Sequence, residues 1–169
     1  MAEELIGLIA GSGLGDVIAE KLACAEKIEV QTPFGEPSDK ILIGMIGQKN
    51  VAFLTRHGQG PKISPSEVPY ADNIYSLTSR GVKTLIASGA VGSLREEIVP
   101  KELIIVDQFI DKTFKRQSSF FTGIAAVHCE LAQPTCSRLR KVVVDAAGEL
   151  RVKTHNGGTY VCMACPQLS

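Results

Sequence analysis

Short runs of consecutive apolar residues, separated by polar or glycine-rich turns, recur along the chain. Unbroken apolar runs of this length are typical of strands buried on both faces of a parallel sheet. The pattern predicts strands at residues 5–10, 27–32, 84–87, 103–106, 153–154 and 159–163. Residues 41–46 and 50–55 flank Gly47, Gln48 and Lys49, and this arrangement predicts a β-hairpin.

Between these strands, apolar residues at helical spacing predict helices over residues 16–23, 70–79 and 134–148. The inward face of the third helix is predicted to carry Leu139, Val142, Val143 and Ala146. Residues 107–123 are more polar and predict a loop. Because strands alternate with helices around one hairpin, the expected class is α/β, with a mixed, mainly parallel sheet in a single domain over residues 1–169.

Composition narrows the classes of function. Hydrophobic residues make up 44% of the 169 and charged residues 21%, which is typical of a globular protein. Lys plus Arg and Asp plus Glu are equal at 18 each, aromatics are 5% and there is no Trp, so we expect no nucleic-acid partner. The apolar run at residues 5–10 is too short to span a bilayer, so no membrane partner is expected.

The five cysteines are odd in number and scattered, which predicts reduced thiols and a cytoplasmic protein. Cys162 and Cys165 have the spacing of a metal or redox motif. The chain offers no second such pair, so we predict neither a metal site nor redox activity at these cysteines.

Three predicted strands end in small or anion-binding residues: Ser12 within a glycine-rich turn, the pair Arg56 and His57, and the turn at residues 88–93. Ligands of open α/β sheets bind beyond the carboxyl ends of the strands. If these strands are parallel neighbours, the three turns converge on one crevice. Arginine offers a planar fork of donors suited to phosphate or carboxylate, and the N-terminus of helix 16–23 adds a favourable dipole.

Two other interpretations apply to the same residues. On their own, Arg56 and His57 are compatible with a surface ion pair and a packed histidine. Gly11 and Gly13 begin a dinucleotide-binding fingerprint, but its third glycine is replaced by Asp16, whose charge repels pyrophosphate.

Several motifs of the chain resemble those of the trimeric purine nucleoside phosphorylases, most closely the branch that acts on 5'-methylthioadenosine. The matching stretches are residues 11–14, 32–38, 56–58, 65–66, 73–74, 92–98 and 107–111, in the family's order. The resemblance runs from Ile6 to Ser169. It implies a three-layer sandwich fold and a homotrimer. It also implies phosphorolysis of a purine nucleoside, with inorganic phosphate as co-substrate and no cofactor.

The resemblance also implies roles for individual residues. Phosphate is held by Ser12, Arg56, His57 and the backbone of Gly89 and Ala90, where the family often has a hydroxyl residue at the position of Gly89. Val91 and Gly92 line the purine and ribose. His128 reaches the 5' end of the substrate in a neighbouring subunit, and Ser169 influences 5'-substituent and base selectivity.

The chain departs from the family pattern near residue 164. Ala164 replaces a Glu that contacts the substrate region, Leu168 replaces the aromatic residue that stacks on the purine, and Pro61 replaces a histidine. The segments that protonate and bind the purine in the family are expected beyond residue 169. Two interpretations therefore stay open: a purine nucleoside phosphorylase, or a C-terminally truncated, inactive remnant that binds phosphate or associates with full-length subunits.

Overall fold

The computed structural model describes residues 4–58 and 63–164, with only the backbone of Ser12. These residues form two compact units. The first contains residues 4–58, 63–90 and 117–120, and the second contains residues 91–116 and 121–164. That residues 1–169 form a single domain stays a prediction. Within the described part of the chain, no helix has the length and hydrophobicity needed to cross a membrane.

The first unit is built around one five-stranded sheet. Its elements are β1 (Ile6–Ala10), α1 (Ser12–Lys21), β2 (Ala23–Ile28), β3 (Ile41–Ile46), β4 (Lys49–Thr55), α2 (Tyr70–Ser79) and β5 (Thr84–Ala87). The strands lie in the order β2-β3-β4-β1-β5. β4, β1 and β5 are parallel, whereas β2, β3 and β4 pair antiparallel. β1 is therefore the central strand of the parallel part.

One helix covers each face of this sheet. On one face Leu77 of α2 packs with Ile9 and Leu54, and on the other Leu22 packs with Ala10 and Phe53 beside Ile18 of α1. Neighbouring residues of β1 and β4 point to opposite faces, as strand geometry requires. The first unit is thus a three-layer arrangement of helix, sheet and helix.

The second unit contains β6 (Leu103–Ile105), β7 (Gln108–Lys112), α3 (Ser137–Glu149), β8 (Thr154–Asn156) and β9 (Thr159–Met163). β6 pairs with β8 and β7 with β9, both in parallel. Four of the six strand pairs in the described residues are therefore parallel. The prediction of an α/β fold with a mixed, mainly parallel sheet is confirmed.

Several predicted boundaries are wrong. The first helix begins at Ser12 and not at residue 16, because the glycines that predict a loop lie inside its first turn. β2 occupies Ala23–Ile28 and not residues 27–32, and its side chains are mostly exposed, so its position follows from pairing with β3 and not from apolar burial. Residues 107–123 are not all loop, because Gln108–Lys112 form β7 against β9.

The inward face of α3 also differs from the prediction. Val142 is 55% exposed and Ala146 is exposed, whereas Ala147 is 5% exposed. The covered stripe includes Arg140, whose Nη2 atom donates to Oδ1 of Asn156 at 3.0 Å. The inward face of α3 is therefore not identified by apolar residues alone, because Arg140 anchors the helix.

Candidate anion site

The carboxyl ends of β4, β1 and β5 meet at one edge of the five-stranded sheet. Ala10 is level with Thr55, and Ile9 is level with Ala87. The N–H of Arg56 donates to the carbonyl oxygen of Ala10 at 2.9 Å. The three turns that follow these strands, at Gly11, Arg56 and Ser88, therefore start side by side, as the sequence predicts.

The guanidinium of Arg56 occupies the space between the first and third of these turns. Its Nη1 atom donates to the carbonyl oxygen of Ser88 at 3.0 Å. A Cβ placed on Gly11 would lie 3.1 Å from Nη2, and one placed on Gly89 would lie 3.4 Å from it. Arg56 thus extends from β4 across the end of β1 to the end of β5, and two glycines leave room for its head group.

His57 is held beside Arg56 through both ring nitrogens. Nε of Arg56 lies 3.3 Å from Nε2 of His57, and Nδ1 of His57 lies 3.0 Å from the carbonyl oxygen of Ile63. Both side chains are partly buried. Among the described residues Arg56 forms no ion pair, whereas a packed histidine stays compatible with these contacts of His57.

Helix α1 points its N-terminus at the same edge. Gly11 is its N-cap, with extended backbone and no side-chain capping bond, and the first turn carries no acidic residue. The first N–H groups of a helix have no partner within the helix and carry partial positive charge. Because Gly11 also borders the Arg56 guanidinium, backbone donors and a permanent cation face the same space. This combination is suited to a tetrahedral anion.

A loop anchored on α2 supports the turn that carries His57. Asn73 is 2% exposed, accepts the N–H of Ser38 at 2.8 Å and donates to the hydroxyl of Ser38 at 2.8 Å. Asp72, which is 6% exposed, accepts the hydroxyl of Thr32 at 2.6 Å. The carbonyl oxygen of Ser38 approaches Gly58 so closely that a Cβ there would lie 2.7 Å from it.

The remaining predicted site residues are either exposed or lie wholly or partly outside the described residues. Ala90 follows Gly89 at the exposed end of the third turn, and the side chain of Ser12 lies outside the described part. Val91, Gly92 and His128 are exposed residues of the second unit. Ser169, Pro61 and Leu168 lie outside the described residues, as does Cys165.

Sequence reasoning missed the supporting groups of the site. The carbonyl oxygens of Ser88 and Ile63 carry no sequence signal, because every residue has one. Asn73 and Ser38 lie within stretches that resemble the family, and their presence there is the only signal that draws attention to them. Across the described residues, no three His, Cys, Asp or Glu side chains lie close enough together to hold a metal ion.

A separate charged cluster lies in the second unit. Glu102 has a side chain 6% exposed, accepts from Lys153 and lies 2.6 Å from Nε2 of His155. Hydrogen bonds with Lys153 and then His155 lower the pKa of Glu102 to about 2. Through Lys153 and His155, Glu102 connects the turn before β6 to β8. Within that turn, the N–H of Val99 also donates to Glu102 at 3.2 Å.

Comparison with known proteins gives the class to which this fold and sheet edge belong. The family model of the phosphorylase superfamily matches residues 5–169. The chain therefore belongs to the phosphorylase superfamily.

Methylthioadenosine phosphorylases are among the proteins similar to this chain. S-methyl-5'-thioadenosine phosphorylase of Saccharolobus solfataricus is 46% identical over 166 residues, a match covering 97% of this chain and 60% of that protein. The enzyme of Pyrococcus horikoshii is 44% identical over 164 residues, covering 97% of this chain and 62% of that protein. The chain thus spans about 60% of the length of these curated relatives.

Solved structures give the same result. Methylthioadenosine phosphorylase from Schistosoma mansoni in complex with adenine matches with a TM-score of 0.88 and 31% identity, covering 99% of this chain and 67% of that one. A methylthioadenosine phosphorylase from an antarctic soil metagenomic library matches with a TM-score of 0.90 and 40% identity, covering 100% of this chain and 59% of that one. The nucleoside phosphorylase fold predicted from the motifs is confirmed.

Proposed function

We propose that this protein takes part in the phosphorolysis of a purine nucleoside, with 5'-methylthioadenosine as substrate, and that the described sheet edge binds the phosphate. The observation that carries the proposal is the Arg56 guanidinium, held between Gly11 and Gly89 at the N-terminus of α1. The relatives named above, and the adenine present in one solved structure, support the choice of nucleoside.

In the proposed reaction an oxygen of inorganic phosphate attacks C1' of the ribose. The bond from C1' to the purine nitrogen breaks, its electron pair leaves with the base, and the base takes up a proton. The products are free purine and methylthioribose 1-phosphate. Arg56 holds the anionic nucleophile in place beneath a ribose that gains positive charge, so its contribution is orientation and electrostatic stabilisation.

The proposal assigns phosphate contacts to Ser12, Arg56, His57, Gly89 and Ala90. It assigns nucleoside contacts to Val91, Gly92, Ser169 and His128, the last from a neighbouring subunit of a homotrimer. A cytoplasmic location is part of the same proposal, supported by the free thiols of Cys24, Cys129, Cys136 and Cys162.

Phosphate protection against thermal unfolding tests the binding part. Wild-type protein is expected to gain melting temperature with phosphate, since a ligand bound to the folded state stabilises it by mass action. Arg56→Ala is expected to lose that gain, whereas Arg80→Ala, which removes an exposed arginine at the end of α2, is expected to keep it. Equal protection of all three proteins would show that Arg56 does not bind the phosphate.

A second candidate is phosphate binding without turnover, and Ala164 is the observation that favours it. In the family a Glu at that position contacts the substrate region, and an alanine has no group to replace it. A phosphorolysis assay with methylthioadenosine, methylthioinosine and inosine distinguishes the two. Phosphate-dependent base release that is lost in Arg56→Ala supports the enzyme, whereas phosphate protection without base release supports the binding protein.

A further inference from the structure

We propose that Gly11 and Gly89 are positioning residues for Arg56, because the absence of a side chain at each leaves a slot for Nη2 of the guanidinium. The inference rests on the proposed function, since it concerns how the cation of the same anion site is directed. Gly11 has no role among the contacts assigned above, and Gly89 keeps its backbone contact to phosphate. Both glycines act through Arg56, and their slot determines the direction in which Nη2 meets the anion.

Two of the three guanidinium nitrogens of Arg56 already have protein partners. Nη1 donates to the carbonyl oxygen of Ser88 at 3.0 Å, and Nε lies 3.3 Å from Nε2 of His57. Among the described residues, Nη2 donates to no protein acceptor. Since Nη2 carries two N–H groups, it is the nitrogen that remains for the anion.

The two glycines border Nη2 at distances that leave little room for a methyl group. A Cβ on Gly11 would lie 3.1 Å from Nη2 and 4.0 Å from Cζ of Arg56. A Cβ on Gly89 would lie 3.4 Å from Nη2 and 3.5 Å from Nη1. Nonbonded carbon atoms are best separated by about 3.5–4.0 Å. A methyl group at Gly11 is therefore compressed against Nη2, and one at Gly89 is compressed less.

Neither glycine is required by its backbone conformation. Gly11 has φ −76° and ψ 177°, which is extended backbone that any residue adopts. Gly89 is not among the described residues that have positive φ. An alanine at either position therefore introduces no left-handed backbone strain. The property that the two positions contribute is the missing Cβ, and alanine substitution tests that property alone.

The contacts of Arg56 limit how its head group can respond to an added methyl group. The guanidinium is a rigid plane held at Nε and Nη1, so Nη2 moves mainly by rotation of that plane about the line through those two atoms. Such a rotation bends the hydrogen bond to Ser88 and turns the N–H groups of Nη2 away from the anion. Because hydrogen bonds weaken steeply as they bend, we expect phosphate affinity to fall.

Alanine substitutions test the slot, with phosphate affinity measured from the dependence of melting temperature on phosphate concentration. Gly11→Ala is expected to lose about tenfold in affinity and Gly89→Ala about threefold, in the order of their distances from Nη2. Gly15→Ala is the matched control on the same helix, because a Cβ there would come no closer than 3.6 Å to Phe53 and Thr55. This variant is expected to keep the wild-type affinity. Circular dichroism verifies that each variant is folded.

Arg56→Lys separates positioning from a general disturbance of the turn. Lysine keeps the positive charge but has no Nη2 atom, so a methyl group at Gly11 or Gly89 has no guanidinium to displace. Arg56→Lys alone is expected to bind phosphate about tenfold more weakly than wild type. In this background Gly11→Ala and Gly89→Ala are each expected to change affinity by less than about twofold, because their effect depends on the guanidinium.

Stability without phosphate provides a readout independent of binding. Alanine is a poorer helix N-cap than glycine in either background, so the compression of the guanidinium appears as an additional loss. Gly11→Ala is therefore expected to lower the urea midpoint more in wild type than in Arg56→Lys.

Equal shifts of the urea midpoint in the two backgrounds would overturn the inference, and so would wild-type phosphate affinity in Gly11→Ala. If Gly11→Ala does not fold, the same comparisons with Gly89→Ala decide. If Arg56→Ala still abolishes phosphate protection in a case that overturns the slot, the anion site itself stands. If wild type shows no phosphate protection, the proposed function and the slot proposal both fail.

Discussion

Gly58 is the position where one added methyl group is expected to disturb the anion site most directly. Its φ is +71°, in the left-handed region, and a Cβ there would lie 2.7 Å from the carbonyl oxygen of Ser38. That oxygen belongs to Ser38, whose backbone N–H donates to buried Asn73 and whose hydroxyl accepts a hydrogen bond from it. Since neither side of the contact moves easily, Gly58→Ala has to shift the turn that carries His57.

Gly47 provides a matched control. Its φ is +60°, in the hairpin between β3 and β4, and a Cβ there meets nothing within 4 Å. Gly47→Ala therefore costs only the left-handed backbone, about 1–2 kcal/mol. Gly58→Ala adds an overpacking cost of about 1–3 kcal/mol. The gain from a less flexible unfolded chain, about 0.4–1 kcal/mol, is common to both variants and cancels in the comparison.

Urea denaturation followed by circular dichroism measures the two free energies of unfolding, and phosphate protection measures the site. Gly58→Ala is expected to be less stable than Gly47→Ala by the overpacking cost and to lose phosphate protection, while Gly47→Ala keeps it. Equal stabilities, or undiminished phosphate protection in Gly58→Ala, would refute the argument that the Ser38 backbone fixes this turn.

Three further predictions concern the supporting structure. Asn73→Ala leaves Ser38 without both partners and is expected to cost about 1–3 kcal/mol in urea denaturation, whereas Thr78→Ala, on the exposed side of the same helix, is expected to cost under about 0.5 kcal/mol. The pKa of Glu102 is lowered to about 2, so its stabilising contribution is complete above the unfolded pKa near 4.5 and is lost as pH falls toward 2. The stability difference between wild type and Glu102→Gln is therefore expected to shrink over that interval in acid titrations, and a constant difference would contradict the ion cluster. Gly148→Ala, in α3 where a Cβ meets nothing within 4 Å, is expected to raise stability by about 0.5–1 kcal/mol, and a fall in the urea midpoint would contradict it.

The parts of the fold that the sequence predicts well are those where burial determines the pattern. β1, the β3–β4 hairpin, α2 and β5 lie within a residue of their predicted bounds, because their apolar residues form the two cores on either side of the sheet. β2 and β7 are largely exposed, so their positions depend on the strand beside them. Hydrophobic pattern alone contains no information about such pairing.

The candidate site shows the same division. The convergence of the turns at Gly11, Arg56 and Ser88 follows from parallel strand order, and the sequence predicts it. The start of α1 at Ser12 does not follow, because glycines inside a helix are unfavourable in isolation and tertiary packing of Ile18 and Leu22 outweighs that preference. The placement of the His57 ring depends on the backbone oxygen of Ile63, which no sequence pattern reveals.

Arg56 joins strands that are far apart in sequence, and this has a consequence for folding. Residues 10, 56 and 88 come together only after β4, β1 and β5 have paired in register, and contacts of such long sequence separation form slowly. The site therefore exists only in molecules whose sheet is already assembled. Bound anion is expected to slow unfolding while leaving the folding rate unchanged. The ligand would then stabilise the assembled sheet without assisting its assembly.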